Sequence, residues 1–149
     1  MASYRHLARI AVMQTIFACE FRKGVDPDYM LNYCSREFSD KLKDMSFAQG
    51  LLEGVIRKKP ELVEIIQKEA PEWPIDRIAP IDRAILEIGV YEIMFSGDVP
   101  PVVAINEAVE MAKSYGDTNA AKFVNGVLST VMHKYGEEQK EKSKDQRLE

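Results

Sequence analysis

Between Pro80 and Phe95 the chain reads Ile81, Ala84, Ile85, Leu86, Ile88, Gly89, Val90, Tyr91, Ile93, Met94 and Phe95, apolar on almost every side of a helix. A helix with that pattern offers no face to water, so it must be wrapped by neighbours. Elsewhere the chain carries one-sided helical patterns that can do the wrapping. Leu7, Ile10, Ala11, Phe17, Ala18 and Phe21 recur at three and four, and Lys23-Gly24 ends that run. Asp26 caps a second helix whose first position is Pro27. Ser46 and Gln49 form a capping-box pattern ahead of Phe47, Leu51 and Val55. Gly50 and Gly54 fall four apart in that helix and point to a close helix–helix approach. Lys59-Pro60 restarts or kinks the chain before Leu62, Ile65 and Ile66, and Pro71 stops the next helix.

Trp73 stands between Pro71 and Pro80 in what reads as a joint between two halves. After Pro100-Pro101, Ile105, Ala108, Val109 and Ala112 make one stripe. Beyond a turn at Gly116, Val124, Val127, Leu128, Val131 and Tyr135 make the last. No strand alternation persists. The expectation is an all-α fold of two small helical bundles, about seven helices in one domain over residues 1–135, with subdomains near 1–58 and 59–135. Residues 136–149 are charged and nearly devoid of apolar side chains, a composition that predicts a disordered tail.

The 149 residues are 46% hydrophobic and 30% charged, enough for one domain with a buried core. No apolar run approaches the roughly 20 residues a membrane span needs. Arg5, His6 and Arg9 break any signal-peptide core, so the expectation is a cytoplasmic protein with no membrane partner. Cys19 and Cys34 lack metal-ligand spacing and read as reduced thiols in or near a core. There is no Gly-rich phosphate loop, no G-x-S-x-G and no H-E-x-x-H, and His6 and His133 are far apart. An enzyme, a cofactor and a metal site are therefore not expected. Glu107 and Glu110 read as a solvated face. Asn106 and Asn125 read as buried amides bridging helix ends, which must be paired.

Charge is unevenly spread. Residues 1–23 carry Arg5, Arg9, Arg22 and Lys23 against Glu20 alone, whereas residues 72–92 carry Glu72, Asp76, Asp82, Glu87 and Glu92 against Arg77 and Arg83. A basic end and an acidic middle point to two different partners. Arg5 and Arg9 share a helix face, with His6 beside them. They form either a solvated helix start or a guanidinium pair for phosphates and unpaired bases. Asp82, in the first turn after Pro80, is either a helix-dipole partner or a binding residue.

Several motifs in order carry a resemblance to a known family: Arg5, Ala8 and Arg9; Trp73-Pro-Ile-Asp-Arg-Ile; Ile81-Asp-Arg-Ala-Ile-Leu; Tyr91-Glu; Pro100; Ala104-Ile-Asn-Glu-Ala-Val; and Phe123-Val-Asn-Gly-Val-Leu. From Tyr4 to about Tyr135 the chain resembles the NusB family of bacterial antitermination factors. That resemblance implies an all-helical, non-catalytic protein that binds boxA-type RNA of ribosomal RNA operons. It implies the ribosomal protein NusE and the RNA polymerase antitermination complex as partners. It places RNA contacts on Arg5, His6, Arg9, Lys122 and Phe123, and the NusE contact on Asp82. His6 stands where a further arginine is common, and Asn119 where an acid is common. Phe123 is either a base-stacking ring or a core aromatic. Two other readings compete: the RNA-targeting domain of a ribosomal RNA cytosine methyltransferase, and a protein-interaction module, as a possible homodimer.

Overall fold

The computed structural model describes residues 3–38, 40, 42 and 44–136. The tail expected over 136–149 lies outside them except for Gly136. Six α-helices follow in order: α1 (Tyr4–Phe21), α2 (Pro27–Ser35), α3 (Ser46–Glu69), α4 (Pro80–Met94), α5 (Pro101–Tyr115) and α6 (Ala120–Val131). Short 3₁₀ turns occupy Arg36–Phe38 and Ile75–Arg77, and a π-helical turn, Met132–Gly136, continues α6. No strand occurs among the described residues. The all-α expectation holds, with one helix fewer than seven because Pro60 does not divide α3.

That exception has a local cause. An interior proline removes its own N–H and leaves the carbonyl four residues back unanswered by the helix. Here both Pro60 and Ile56 are exposed, so the Ile56 carbonyl stays on the side that water reaches. The chain nonetheless divides between Lys59 and Pro60 into two compact units.

In the first unit α1 packs on α2. Ser3 caps α1 by accepting from the His6 N–H at 3.1 Å, and Asp26 caps α2 by accepting from the Asp28 N–H, with Pro27 at the first position. Gly24 turns the chain between them with φ +89, where a side chain would be strained. The start of α3 differs from the capping-box expectation. Asp44 accepts from the Ser46 N–H at 2.9 Å, which also holds its carboxyl below the usual range, and Ser46 is already helical. The glycine expectation fails at Gly50, which is exposed with nothing within 4 Å of where a Cβ would stand. Phe21 is 62% exposed and stacks on the partly exposed Phe17 at 5.0 Å, so neither is a core residue; Met13 and Ile16 fill that face instead. Cys19 and Cys34 are free, half-buried thiols whose pKa values burial pushes up. That shift makes them poor nucleophiles.

In the second unit α4 packs against both α5 and α6, which pack on each other. Buried positions run all round α4, as its pattern demands. They include acids: Glu87 and Glu92 are each 1% exposed. The acidic middle of the sequence is thus largely interior, and only Glu72 and Asp76 of its five acids are exposed. Asn106 and Asn125 are exposed, not buried amides. The inner stripes Ala104, Ile105, Ala108, Met111 and Val124, Val127, Leu128, Val131 leave both positions outside. Trp73 sits within this unit, so it is not the joint between halves.

Candidate functional site

The first unit gathers its cations around one ring. The Arg5 guanidinium lies 4.7 Å and that of Arg9 5.1 Å from the centroid of Phe47, at the start of α3. Tyr4 ties the same elements together, its hydroxyl donating to the Asp44 carbonyl. Arg5 is exposed, but Arg9 is only 2% exposed and His6 is half-buried. The shared face expected for Arg5 and Arg9 exists, since both guanidiniums meet Phe47, yet only Arg5 is exposed. Arg9, which the resemblance gives to RNA, is thus a buried residue with its guanidinium against the Phe47 ring. Phe47 was missed in the sequence because its capping-box context read it as core.

The second unit holds a cavity of about 450 Å³ whose lining includes Trp73, Arg77, Asp82, Asp117, Lys122 and Phe123. Three loops and helix starts converge here: the 3₁₀ turn at Ile75–Arg77, the first turn of α4, and the Gly116 turn that leads into α6. Trp73 is 53% exposed and meets Phe123 edge to face, centroids 6.1 Å apart at 65°. Phe123 is thus half of an aromatic pair at a cavity wall, not a core residue. A second cavity, about 400 Å³, lies on the same pair and shares Lys122, with Glu69, Glu72 and Gly126 also in its lining.

Asp82, to which the resemblance gives the NusE contact, is 6% exposed. It lines the same cavity as Lys122 and Phe123, so residues that the resemblance gives to two partners stand together. Its Oδ1 has no hydrogen-bond partner among the described residues. Gly116 closes tightly over it, since a Cβ there would lie 2.9 Å from that oxygen and 2.5 Å from the Ala120 Cβ. Burial, then the nearby Asp117, raises the Asp82 pKa. Asp117 itself accepts from the Asn119 N–H at 3.0 Å, shaping the turn before α6.

A carboxyl whose pKa is raised in the fold favours its neutral form there. Its contribution to stability is present below the unfolded-state value and is lost as pH rises through the folded-state one. Asp82→Asn is therefore expected to unfold at higher urea than the parent at neutral pH, with the gap closing as pH falls toward about 4. A gap that is the same at both pH values would mean that charge burial is not its cause.

Among the described residues no group of three or more His, Cys, Asp or Glu side chains is placed to hold a metal ion. No helix among them is long and apolar enough to cross a membrane.

The model of the NusB family matches residues 6–133. A transcription antitermination protein NusB of Ruminiclostridium cellulolyticum is 39% identical over 127 residues, covering 85% of this chain and 87% of its own. That of Bacillus subtilis is likewise 39% identical, covering 85% and 93%. Among solved structures, T. maritima NusB superposes with a TM-score of 0.80 at 30% identity, covering 95% of this chain and 99% of that one. A chain from the crystal structure of antitermination factors NusB and NusE in complex with dsRNA gives 0.76 at 29%, covering 91% and 100%.

Proposed function

The chain belongs to the NusB family, and on that premise we propose that it is a non-catalytic, cytoplasmic transcription antitermination factor. It binds boxA-type RNA of ribosomal RNA operons together with the ribosomal protein NusE, within the RNA polymerase antitermination complex. The observation that carries this reading is the pair of exposed Trp73 and half-buried Phe123 at a cavity that also holds Lys122 and Arg77. Aromatic faces beside cations are what unpaired nucleotides require, because every base has a π-face and every linkage a phosphate. Phe123 stacks a base and Lys122 takes a phosphate.

The first unit supplies its own contact. Arg5 is the exposed guanidinium that meets phosphate, and Arg9 acts through Phe47 by holding that ring in place. His6, half-buried, lies at the edge of this patch. Few phosphates are neutralised by such a set, so binding by the chain alone is weak and salt-sensitive, and NusE completes it.

The test is binding of a labelled boxA-type RNA to the chain alone and with NusE, at two salt concentrations. Binding that strengthens with NusE and weakens with salt is expected. Arg5→Glu should lower the affinity and flatten the salt dependence by about one counterion or more. Absence of RNA binding in both conditions would overturn the function; unchanged binding by Arg5→Glu would remove the basic patch from it.

A further inference from the structure

Helix α2 buries one face and leaves the other bare. Met30, Leu31 and Ser35 are its buried positions, and α2 packs on α1 in the first unit. Tyr29 and Tyr33, four apart and so neighbours on the helix surface, are 60% and 57% exposed. The core makes little use of either ring, and tyrosine is among the residues that concentrate binding energy at protein interfaces. Carboxylates frame the pair. Asp26, the N-cap, stands three positions before Tyr29, and Glu37 four after Tyr33, both exposed. Residues 26–40 carry exposed Asp26, Asp28, Glu37 and Asp40 against Arg36 alone. With Glu20, Arg22 and Lys23 of the preceding turn included, acids still outnumber cations five to three. Such a face repels a phosphate backbone and attracts a basic ligand.

Tyr33 shows which cation the face accepts. The Arg36 guanidinium lies 5.6 Å from its ring centroid. A guanidinium is planar, stacks on an aromatic face and sheds water more readily than an ammonium group does. Tyr29 has neither a cation nor a second ring against it among the described residues. We propose that this face of α2 is the docking surface for an arginine-rich segment of a partner protein. One guanidinium of that segment lies over Tyr29 as Arg36 lies over Tyr33, and the carboxylates of Asp26 and Glu37 pair with its neighbours. The surface uses none of the residues that the RNA reading engages, nor Asp82, so it stands whether or not the chain binds RNA.

The probes are two short fluorescein-labelled peptides, one of alternating arginine and glycine and one with lysine in place of each arginine, followed by fluorescence anisotropy on the full chain. An acidic surface alone binds both alike, so the quantity read is the ratio of the two affinities. The chain should prefer the arginine peptide by about fivefold. Tyr29→Ala combined with Tyr33→Ala should bring the ratio close to one, whereas Tyr29→Phe combined with Tyr33→Phe, which keeps both rings, should preserve it. Glu37→Gln should weaken both peptides and leave the ratio unchanged, since it removes charge but no ring. Saturating NusE should leave the preference intact. Equal affinity for the two peptides, or a preference that survives the loss of both rings, would overturn the proposal. So would displacement of the arginine peptide by NusE, which would make the face part of that contact. Loss of boxA-type RNA binding in the double alanine variant would overturn it too, by making the face a nucleic-acid surface.

Discussion

Replacing Gly89 by leucine will lower the unfolding free energy by about 3 kcal/mol, the upper end of what overpacking a core costs. The reason lies in the contact between α4 and α6. A Cβ at position 89 would stand 2.6 Å from Cδ1 of Leu128 and 3.0 Å from its Cδ2, and Leu128 is wholly buried. Alanine will be milder, because the leucine branch can shift a little and the helix gains about 1 kcal/mol on losing a glycine. Leu128→Ala alone opens a cavity and costs about 2–5 kcal/mol. Combined with Gly89→Leu, the new side chain occupies that space, so the double variant should lose clearly less than the two singles together. Urea unfolding of the four proteins reads the coupling directly. Additive losses would mean that Gly89 and Leu128 do not oppose one another.

Phe123→Ala will weaken boxA-type RNA binding by about tenfold or more, since stacking on an aromatic ring contributes about 1–3 kcal/mol per base. The ring serves two cavities at once, and it also holds Trp73 by an edge-to-face contact. Its loss therefore removes one platform and loosens the other. Because Trp73 is the only tryptophan, its emission reports on that loosening without a label. Phe123→Tyr, which preserves the ring, should retain most of the affinity. If Phe123→Ala bound RNA like the parent, the aromatic pair would have no part in the site.

Helix order and the buried central helix were legible because periodicity records which face meets the core. The family was legible because several motifs recur in order across the whole chain. Three features were not. Pro60 inside α3 was hidden because a proline's cost depends on whether the carbonyl it orphans reaches water, which the sequence does not state. The interior placement of Glu87 and Glu92 was hidden because formal charge says nothing about depth. Arg9 shares the face of Arg5, as its spacing required, but the ring that both guanidiniums meet comes from Phe47, some forty residues away. The cavity was half legible. Lys122 and Phe123 were found through the resemblance, which gave Asp82 to the NusE contact, whereas Trp73 and Asp117 joined them only through folding.

The π-helical turn at the end of α6 bears on the electrostatics of the second cavity. Glu69, at the end of α3, has a side chain only 3% exposed; Lys134 meets its Oε2 at 3.0 Å and the Tyr135 hydroxyl donates to its Oε1 at 3.1 Å. Glu69 also lines the cavity shared by Trp73 and Phe123. A bare carboxylate at that place would repel every phosphate that approached. The last helical turn thus acts as a resident counterion, cancelling a negative charge that the fold itself puts beside the aromatic pair.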